Sequence, residues 1–294
     1  MTEVTKVAVM TDSIACLSEQ LAAERGIKVV PAANIMFAGK SYIEGETITA
    51  DEAYRFLQQD PDSFKTSPMT PGYLVEAYRA LSASSKEILF ITVASALSAV
   101  AKTAETAAEM VRTEAPETTI RVHDSRACAS TEGLVVLAAA AAAADGKSLD
   151  EVVAVADRAR QESHGLMLLD TLRYVYRTGR MSKTASRIAA ILNIKPINRL
   201  TPEGTIELAD RARKRDDGMR RLLRLIGGEA GTKDLHFMLA HAAAAEMAEK
   251  FAAMLREEYN CLSLIVADFS PVMGYGSGPG SLFVGFHPEL DLSG

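Results

Sequence analysis

Three stretches of this sequence carry residue types suited to holding an anion by neutral donors. Gly274-Tyr275-Gly276-Ser277-Gly278-Pro279-Gly280 places four glycines on alternate positions, with a proline between the last two. A helix loses stability at each glycine and a strand gains nothing from it, so a loop is expected. With no Cβ in the way, such a loop leaves its backbone N–H groups bare to an anionic ligand. Thr66-Ser67-Pro68-Met69-Thr70-Pro71 supplies hydroxyls in a second expected loop. Ser95 to Ser98, directly after the apolar run Ile88–Val93, supplies more at a strand-to-helix turn.

Each stretch also has a purely structural reading. Thr70 before Pro71 suits a helix N-cap followed by its first turn, which leaves Thr66 and Ser67 free to face a ligand. Ser95 suits a cap as well as it suits a ligand. Thr11-Asp12-Ser13 follows the first expected strand, where open α/β sheets place their ligands, yet Asp and Ser are also ordinary N-caps. A nucleophilic serine would usually sit in Gly-x-Ser-x-Gly, and Val93-Ala94-Ser95-Ala96-Leu97 lacks both glycines. Neither a Gly-x-Gly-x-x-Gly turn nor a Walker lysine loop occurs, so a nucleotide bound in either familiar way is not expected.

The bulk properties narrow the class. The chain has 294 residues, 48% of them hydrophobic and 24% charged, which suits a soluble protein of two domains. A formal net charge of −6 argues against nucleic acid as the main partner. No stretch reads as a signal peptide, and the apolar run Leu134 to Ala144 is far shorter than the roughly 20 residues of a membrane span. Cys16, Cys128 and Cys261 lie far apart without metal-type spacing, as expected of reduced thiols in the cytoplasm. The five histidines show no metal pattern, and no metal or other cofactor is expected. The basic stretch from Arg211 to Arg224 is interrupted by Asp216 and Asp217, which favours a solvated helix face over a nucleic-acid surface.

The elements that must position these residues alternate between short β-rich runs and helical patterns, which predicts α/β with mainly parallel sheets. In the first half, strands are expected at Lys6–Met10, Ile27–Pro31, Glu87–Val93 and Thr119–His123, with a hairpin or strand-like excursion at Ile35–Ile43. Helices are expected at Leu17–Arg25, Ala50–Gln59, Gly72–Leu81, Leu97–Arg112 and around Leu134–Ala144. A capping box at Ser148-Leu149-Asp150-Glu151 opens a further helix. A second cycle follows: strands at Gly165–Leu169, Ile194–Leu200, Ile206–Ala209, Leu235–Leu239 and Leu262–Ala267. Its helices are expected at Leu172–Arg177, Lys183–Leu192, Gly218–Ile226 and Ala243–Glu258. The expected domains are residues 1–160 and 161–294, with the ligand site at their interface.

Read in order, these motifs resemble the DegV family, the fatty-acid-binding proteins that serve bacterial fatty acid kinase as its acyl-carrying subunit. Thr11-Asp12-Ser13 is similar to the family's opening Thr-Asp-Ser, and Tyr42-Ile43-Glu44-Gly45 to its Tyr-x-Asp-Gly. Thr66-Ser67-Pro68-Met69-Thr70-Pro71 resembles Thr-Ser-Gln-Pro-Ser-Pro, and Val93 to Ala99 resembles Ile-Ser-Ser-x-Leu-Ser-Gly. Asp124-Ser125, Leu172-Arg173-Tyr174-Val175 with Gly179-Arg180, Ile194-Lys195-Pro196-Ile197 and Gly276 to Gly280 extend the likeness over the whole chain. The last segment departs from the family's His-Thr-Gly-Pro-Gly, because Gly276 stands where the family has histidine.

The resemblance implies two α/β domains, a long acyl chain buried in a tunnel, and a carboxylate near the domain interface. It implies Thr66, Ser67, Ser95, Ser277 and Gly278 as carboxylate ligands, and it links Arg180 and Arg211 to the kinase partner or the acyl-phosphate. The expected function is to bind a long-chain fatty acid and present it to a separate ATP-dependent fatty acid kinase, with no catalysis by this chain. The alternatives are a small-molecule phosphotransferase or hydrolase that uses the Gly-rich loop as an anion site, and a lipid-sensing regulatory module.

Overall fold

The computed structural model describes residues 7–180, 194–231 and 233–290. The helix expected at Lys183–Leu192 lies outside the described residues. From the N-terminus, β1 (Val7–Asp12) runs into a short 3-10 helix (Ser13–Ala15), α1 (Glu19–Glu24) and β2 (Ile27–Val30). The hairpin β3 (Ala33–Phe37) and β4 (Lys40–Ile43) precedes α2 (Ala50–Gln59), β5 (Lys65–Pro68) and α3 (Pro71–Ser82). Then come β6 (Glu87–Thr92), α4 (Val100–Glu114), β7 (Thr119–Asp124), α5 (Ala129–Ala144) and α6 (Leu149–Glu162). The later elements are β8 (His164–Leu168), α7 (Arg173–Thr178), β9 (Lys195–Leu200), β10 (Ile206–Ala212) and α8 (Arg215–Ala230). They end with β11 (Asp234–His241), α9 (Ala245–Glu258), β12 (Asn260–Asp268), α10 (Pro271–Ser277) and β13 (Leu282–His287).

Among the described residues these strands form three sheets, in the orders β2-β1-β6-β7, β4-β3-β5 and β10-β9-β8-β13-β11-β12. The first is wholly parallel, and its near-continuous apolar strands suit burial on both faces. The α/β class therefore holds, but the mainly parallel pairing does not extend to the second half. There only β11 and β12 run parallel, while β13 pairs antiparallel with both β8 and β11. Strand β13, absent from the expected elements, fills the middle of that sheet with an apolar run that is buried throughout.

Side-chain caps account for half of the described α-helix starts, those of α1, α2, α3, α6 and α10. Thr49 with Glu52 and Ser148 with Glu151 form reciprocal capping boxes on α2 and α6. Thr70 caps α3 and Pro71 occupies its first turn, as the sequence pattern requires. From Leu134 onward α5 is apolar all round, which favours burial. It touches β1 on one side and β11 and β13 on the other, so it joins the two largest sheets. One core cluster accordingly contains Met10 and Phe90 together with Met167, Met238 and Phe283. Among the described residues, no helix is long and apolar enough to cross a membrane.

Two expected loops are regular structure. Thr66 and Ser67 lie on β5, at an edge of the antiparallel sheet, paired with Ile35 and Asn34 of β3. An edge position explains why Pro68, which has no N–H to donate, is tolerated there. The glycine-rich segment enters as helix α10: Ser270 caps it, Pro271 opens it, and Gly274 and Gly276 lie inside it. Gly274 is there for close approach, since a Cβ on it would lie 2.3 Å from the Tyr54 hydroxyl. Gly278 then ends the helix at φ +84°, a conformation that L side chains rarely adopt.

Candidate functional site

Residues just past the carboxyl ends of β1 and β6, Ile14 and Val93 among them, form one wall of a cavity of about 640 Å³. Asp12 builds this wall. Its Oδ1 accepts the backbone N–H of Ile14 at 3.0 Å and its Oδ2 that of Val93 at 2.9 Å. Ile14 and Val93 both line the cavity. The capping reading of Asp12 is therefore the right one, with the addition that the same carboxylate ties β1 to the end of β6. Ser13 donates to Glu44 and accepts the N–H of Ala32 at 3.1 Å, which fixes a third lining residue.

These wall-building carboxyls sit in low dielectric, and burial disfavours their charged forms. Burial pushes Asp12 up to about 6, against the lowering effect of its two backbone hydrogen bonds. Burial pushes Glu44 up to about 7, with the Ser13 hydroxyl pulling the other way. Glu132, fully buried on α5, is also raised well above the carboxylate range, chiefly by burial. The Cys128 thiol lines the cavity, and burial pushes it up too, which disfavours the thiolate that a nucleophile would need.

Most of the lining is apolar, with Val175, Ile206, Val272 and Met273 coming from the second half of the chain. The polar lining comprises the hydroxyl residues Thr66, Ser67, Ser95, Ser98, Tyr275 and Ser277, together with Lys102 and Arg180. Thr66 and Ser67 reach it from β5. Ser95 follows β6, and its backbone N–H is held by both oxygens of Asp124 at 3.2 Å. The capping alternative for Ser95 fails, because α4 starts five residues later and Ala99 occupies its N-cap. Ser277 lines the cavity but donates its hydroxyl to the Met273 carbonyl at 3.1 Å. In that arrangement it offers a carboxylate no proton.

Two expected site residues are elsewhere. Gly278 does not line the cavity, and its N–H is spent on the Gly274 carbonyl at 2.7 Å. Arg211 is exposed on β10, with its backbone N–H on Asp210, and does not line the cavity. Arg180 does line it, donating Nε to the Leu97 carbonyl at 3.3 Å and Nη1 to that of Thr178 at 3.0 Å. Gly276, which faces the cavity, has open space where a Cβ would be. Lys102 was not foreseen; on a helix face exposed to solvent it reads as an ordinary surface lysine.

The remaining sequence candidates have structural partners. His123, His164 and His241 face Asp157, Glu229 and Asp268, and His236 lies between Ser263 and Glu289. Within the basic stretch, Arg215 pairs with Asp170 and Arg221 with Asp210 and Asp217.

Fold and site together define an α/β protein with a ligand-sized, mostly apolar cavity whose polar groups are hydroxyls and cations. A family profile described as an uncharacterised protein family, DegV, matches residues 6–289. The chain belongs to the DegV family. A DegV domain-containing protein of Caldanaerobacter subterraneus subsp. tengcongensis is 32% identical over 292 residues, covering 97% of this chain and 99% of that protein. Another, from Staphylococcus aureus, is 27% identical and covers 95% of this chain and 97% of its own length.

Solved structures share the fold. A DegV family protein from Thermus thermophilus, described for its fatty acid binding, superposes with a TM-score of 0.87 at 24% identity, covering 97% of this chain and all of that one. A stearic acid-binding protein from Eubacterium ventriosum gives a TM-score of 0.87 at 20% identity, with 96% and 98% covered. A DegV family protein from Ruminococcus gnavus, refined with vaccenic acid, gives 0.85 at 23% identity, with 96% and 99% covered.

Proposed function

We propose that this protein binds one long-chain fatty acid in the cavity, with the carboxylate at the hydroxyl-bearing end. The observation that carries this reading is a mostly apolar cavity of about 640 Å³ with Thr66, Ser67 and Ser95 on its wall. That volume is ordinary for a small-molecule pocket, about 300–1,000 Å³. Each methylene taken from water contributes about 0.8 kcal/mol, so a long chain supplies ample binding energy. A carboxylate leaving water must gain hydrogen bonds, and hydroxyl donors meet that need. The fatty acids named for the structural relatives fit the same chemistry.

Beyond binding, we infer that the chain presents the carboxylate to a separate ATP-dependent fatty acid kinase in the cytoplasm and performs no chemistry itself. A hydrolase would need a base in reach of its serine. The Ser95 hydroxyl bonds to none of the described residues, which favours presentation over acyl transfer. On this reading residues 1–160 and 161–294 are two domains that close on the ligand from either side.

The test is native mass spectrometry of protein purified from a bacterial host, followed by lipid extraction. About one fatty acid per chain is expected. Extraction without lipid, together with no uptake of added palmitate or oleate, would overturn the carrier reading. Transfer of phosphate from ATP to the bound acid by an added fatty acid kinase separates kinase presentation from lipid sensing.

A further inference from the structure

The charged residues on the cavity wall are unbalanced. Lys102 and Arg180 line it, and no aspartate or glutamate is among the described lining residues. This holds in a protein whose overall formal charge is −6. We propose that Lys102 is the ion-pair partner of the ligand's head group, so that the site selects carboxylates over neutral lipids of the same length. The inference rests on the fatty-acid reading above and adds the group that sets its head-group specificity.

Lys102 is the third residue of α4 and is exposed at the cavity wall. Its ammonium makes no hydrogen bond or ion pair with any described residue. Lys86, Lys195, Lys233 and Lys250 are engaged by Glu117, Asp170, Glu258 and Asp216, and of the described lysines without such a partner only Lys102 lines this cavity. Arg180, the second cation on the wall, already holds the carbonyls of Leu97 and Thr178. Those two bonds brace the loop that carries Ser95 and Ser98 and take two of the five guanidinium donors.

The surroundings favour an anion beside Lys102. Ser98 and Ala99, which also line the cavity, lead directly into α4, and Ala99 gives that helix no side-chain cap. The first turn of α4 thus adds partial positive charge on the same side as the ammonium. Ser95, Thr66 and Ser67 contribute neutral donors, and Gly276 adds no side-chain donor at all. Lys102 brings to this wall a flexible ammonium whose three donors have no partner among the described residues.

Binding of palmitate and of 1-hexadecanol to delipidated protein tests the assignment, using the native chain, Lys102→Gln and Lys102→Arg. The expected result is a loss of roughly two- to fivefold in palmitate affinity for Lys102→Gln, the scale of an exposed ion pair. Hexadecanol affinity should not change, and Lys102→Arg should keep most of the palmitate affinity. Unchanged palmitate binding by Lys102→Gln would overturn the proposal. So would an equal loss for both ligands, which would mark a packing role. A native protein that binds neither ligand would fail the fatty-acid reading itself, and is recognised before any variant is compared.

Discussion

The carboxylate of Asp12 accepts the backbone N–H of Val93, 81 residues further along the chain, at 2.9 Å. Its other oxygen holds Ile14 at 3.0 Å, and both partners line the cavity. A fully buried acid thus joins two neighbouring strands where the parallel sheet meets the ligand site. Asp12 shapes the wall and is not itself among the lining residues.

Asp12→Ala should therefore destabilise the fold and weaken ligand binding together. Two N–H groups lose their acceptor in a buried setting, at a cost of roughly 1–3 kcal/mol each. Urea denaturation should show a total loss of roughly 2–5 kcal/mol. A loss below about 1 kcal/mol would mean that water replaces the carboxylate, and that the strand ends do not depend on it.

Glu44 should make stability depend on pH. Its carboxyl rises from an ordinary 4.5 to about 7 in the folded protein, mainly through burial. The unfolded chain therefore ionises first as pH rises. The contribution of Glu44 is fully present below its unfolded value and is lost as pH climbs through the folded one. The whole shift corresponds to a few kcal/mol, on the order of 3. Melting temperatures from pH 5 to 8 should fall less steeply for Glu44→Gln, which keeps an acceptor for Ser13. Part of the slope below about pH 6 should remain, because Asp12 is raised to about 6 by the same cause. Superimposable profiles for variant and native protein would rule Glu44 out as a source of the slope.

Thr66 and Ser95 should matter to the ligand and little to the fold. Neither hydroxyl bonds to a described residue, so removing it leaves no protein partner unsatisfied. A hydrogen bond to a charged group contributes about 1.5–3 kcal/mol, so Thr66→Ala and Ser95→Ala should each lower palmitate affinity by roughly 10- to 150-fold. Ser277→Ala should have a much smaller effect, since its hydroxyl serves the Met273 carbonyl. Calorimetric titration of the three variants checks the order. Equal losses in all three would show that Ser277 turns toward the ligand.

Much of this arrangement was legible in the sequence, because it rests on local rules. Apolar runs such as Glu87–Thr92 became strands, Thr70-Pro71 and Ser148 to Glu151 marked helix starts, and Asp12 proved to be the cap its type suggests. Strand direction in the second sheet was not legible. It is set by how β13 returns after α10, and an apolar run reads the same in either direction. Lys102 was missed because a lysine at a helix start is no signal until the cavity beside it is known. The glycine-rich segment misled because its glycines serve different purposes. Gly274 makes room for a tyrosine, Gly278 turns the chain, and only Gly276 is open to the cavity.

That difference between Gly274 and Gly276, two residues apart in one short helix, gives a paired test. A Cβ at Gly274 would lie 2.3 Å from the Tyr54 hydroxyl and 2.6 Å from two ring carbons of a buried side chain. Gly274→Ala should therefore lower stability by roughly 1–3 kcal/mol, as forced overpacking does. At Gly276 a Cβ meets nothing within 4 Å, and φ is outside the positive range that strains L residues. Gly276→Ala should leave stability unchanged or raise it by up to about 1 kcal/mol, the propensity difference in a helix. Gly276→His then adds an imidazole to the cavity wall near the other donors, and should tighten palmitate binding by roughly tenfold at unchanged melting temperature. Melting temperature and affinity measured on the same variant keep fold and site apart. Weaker binding by Gly276→His without any loss of stability would place the carboxylate away from α10, and would leave the Ser95 side of the cavity to hold it alone.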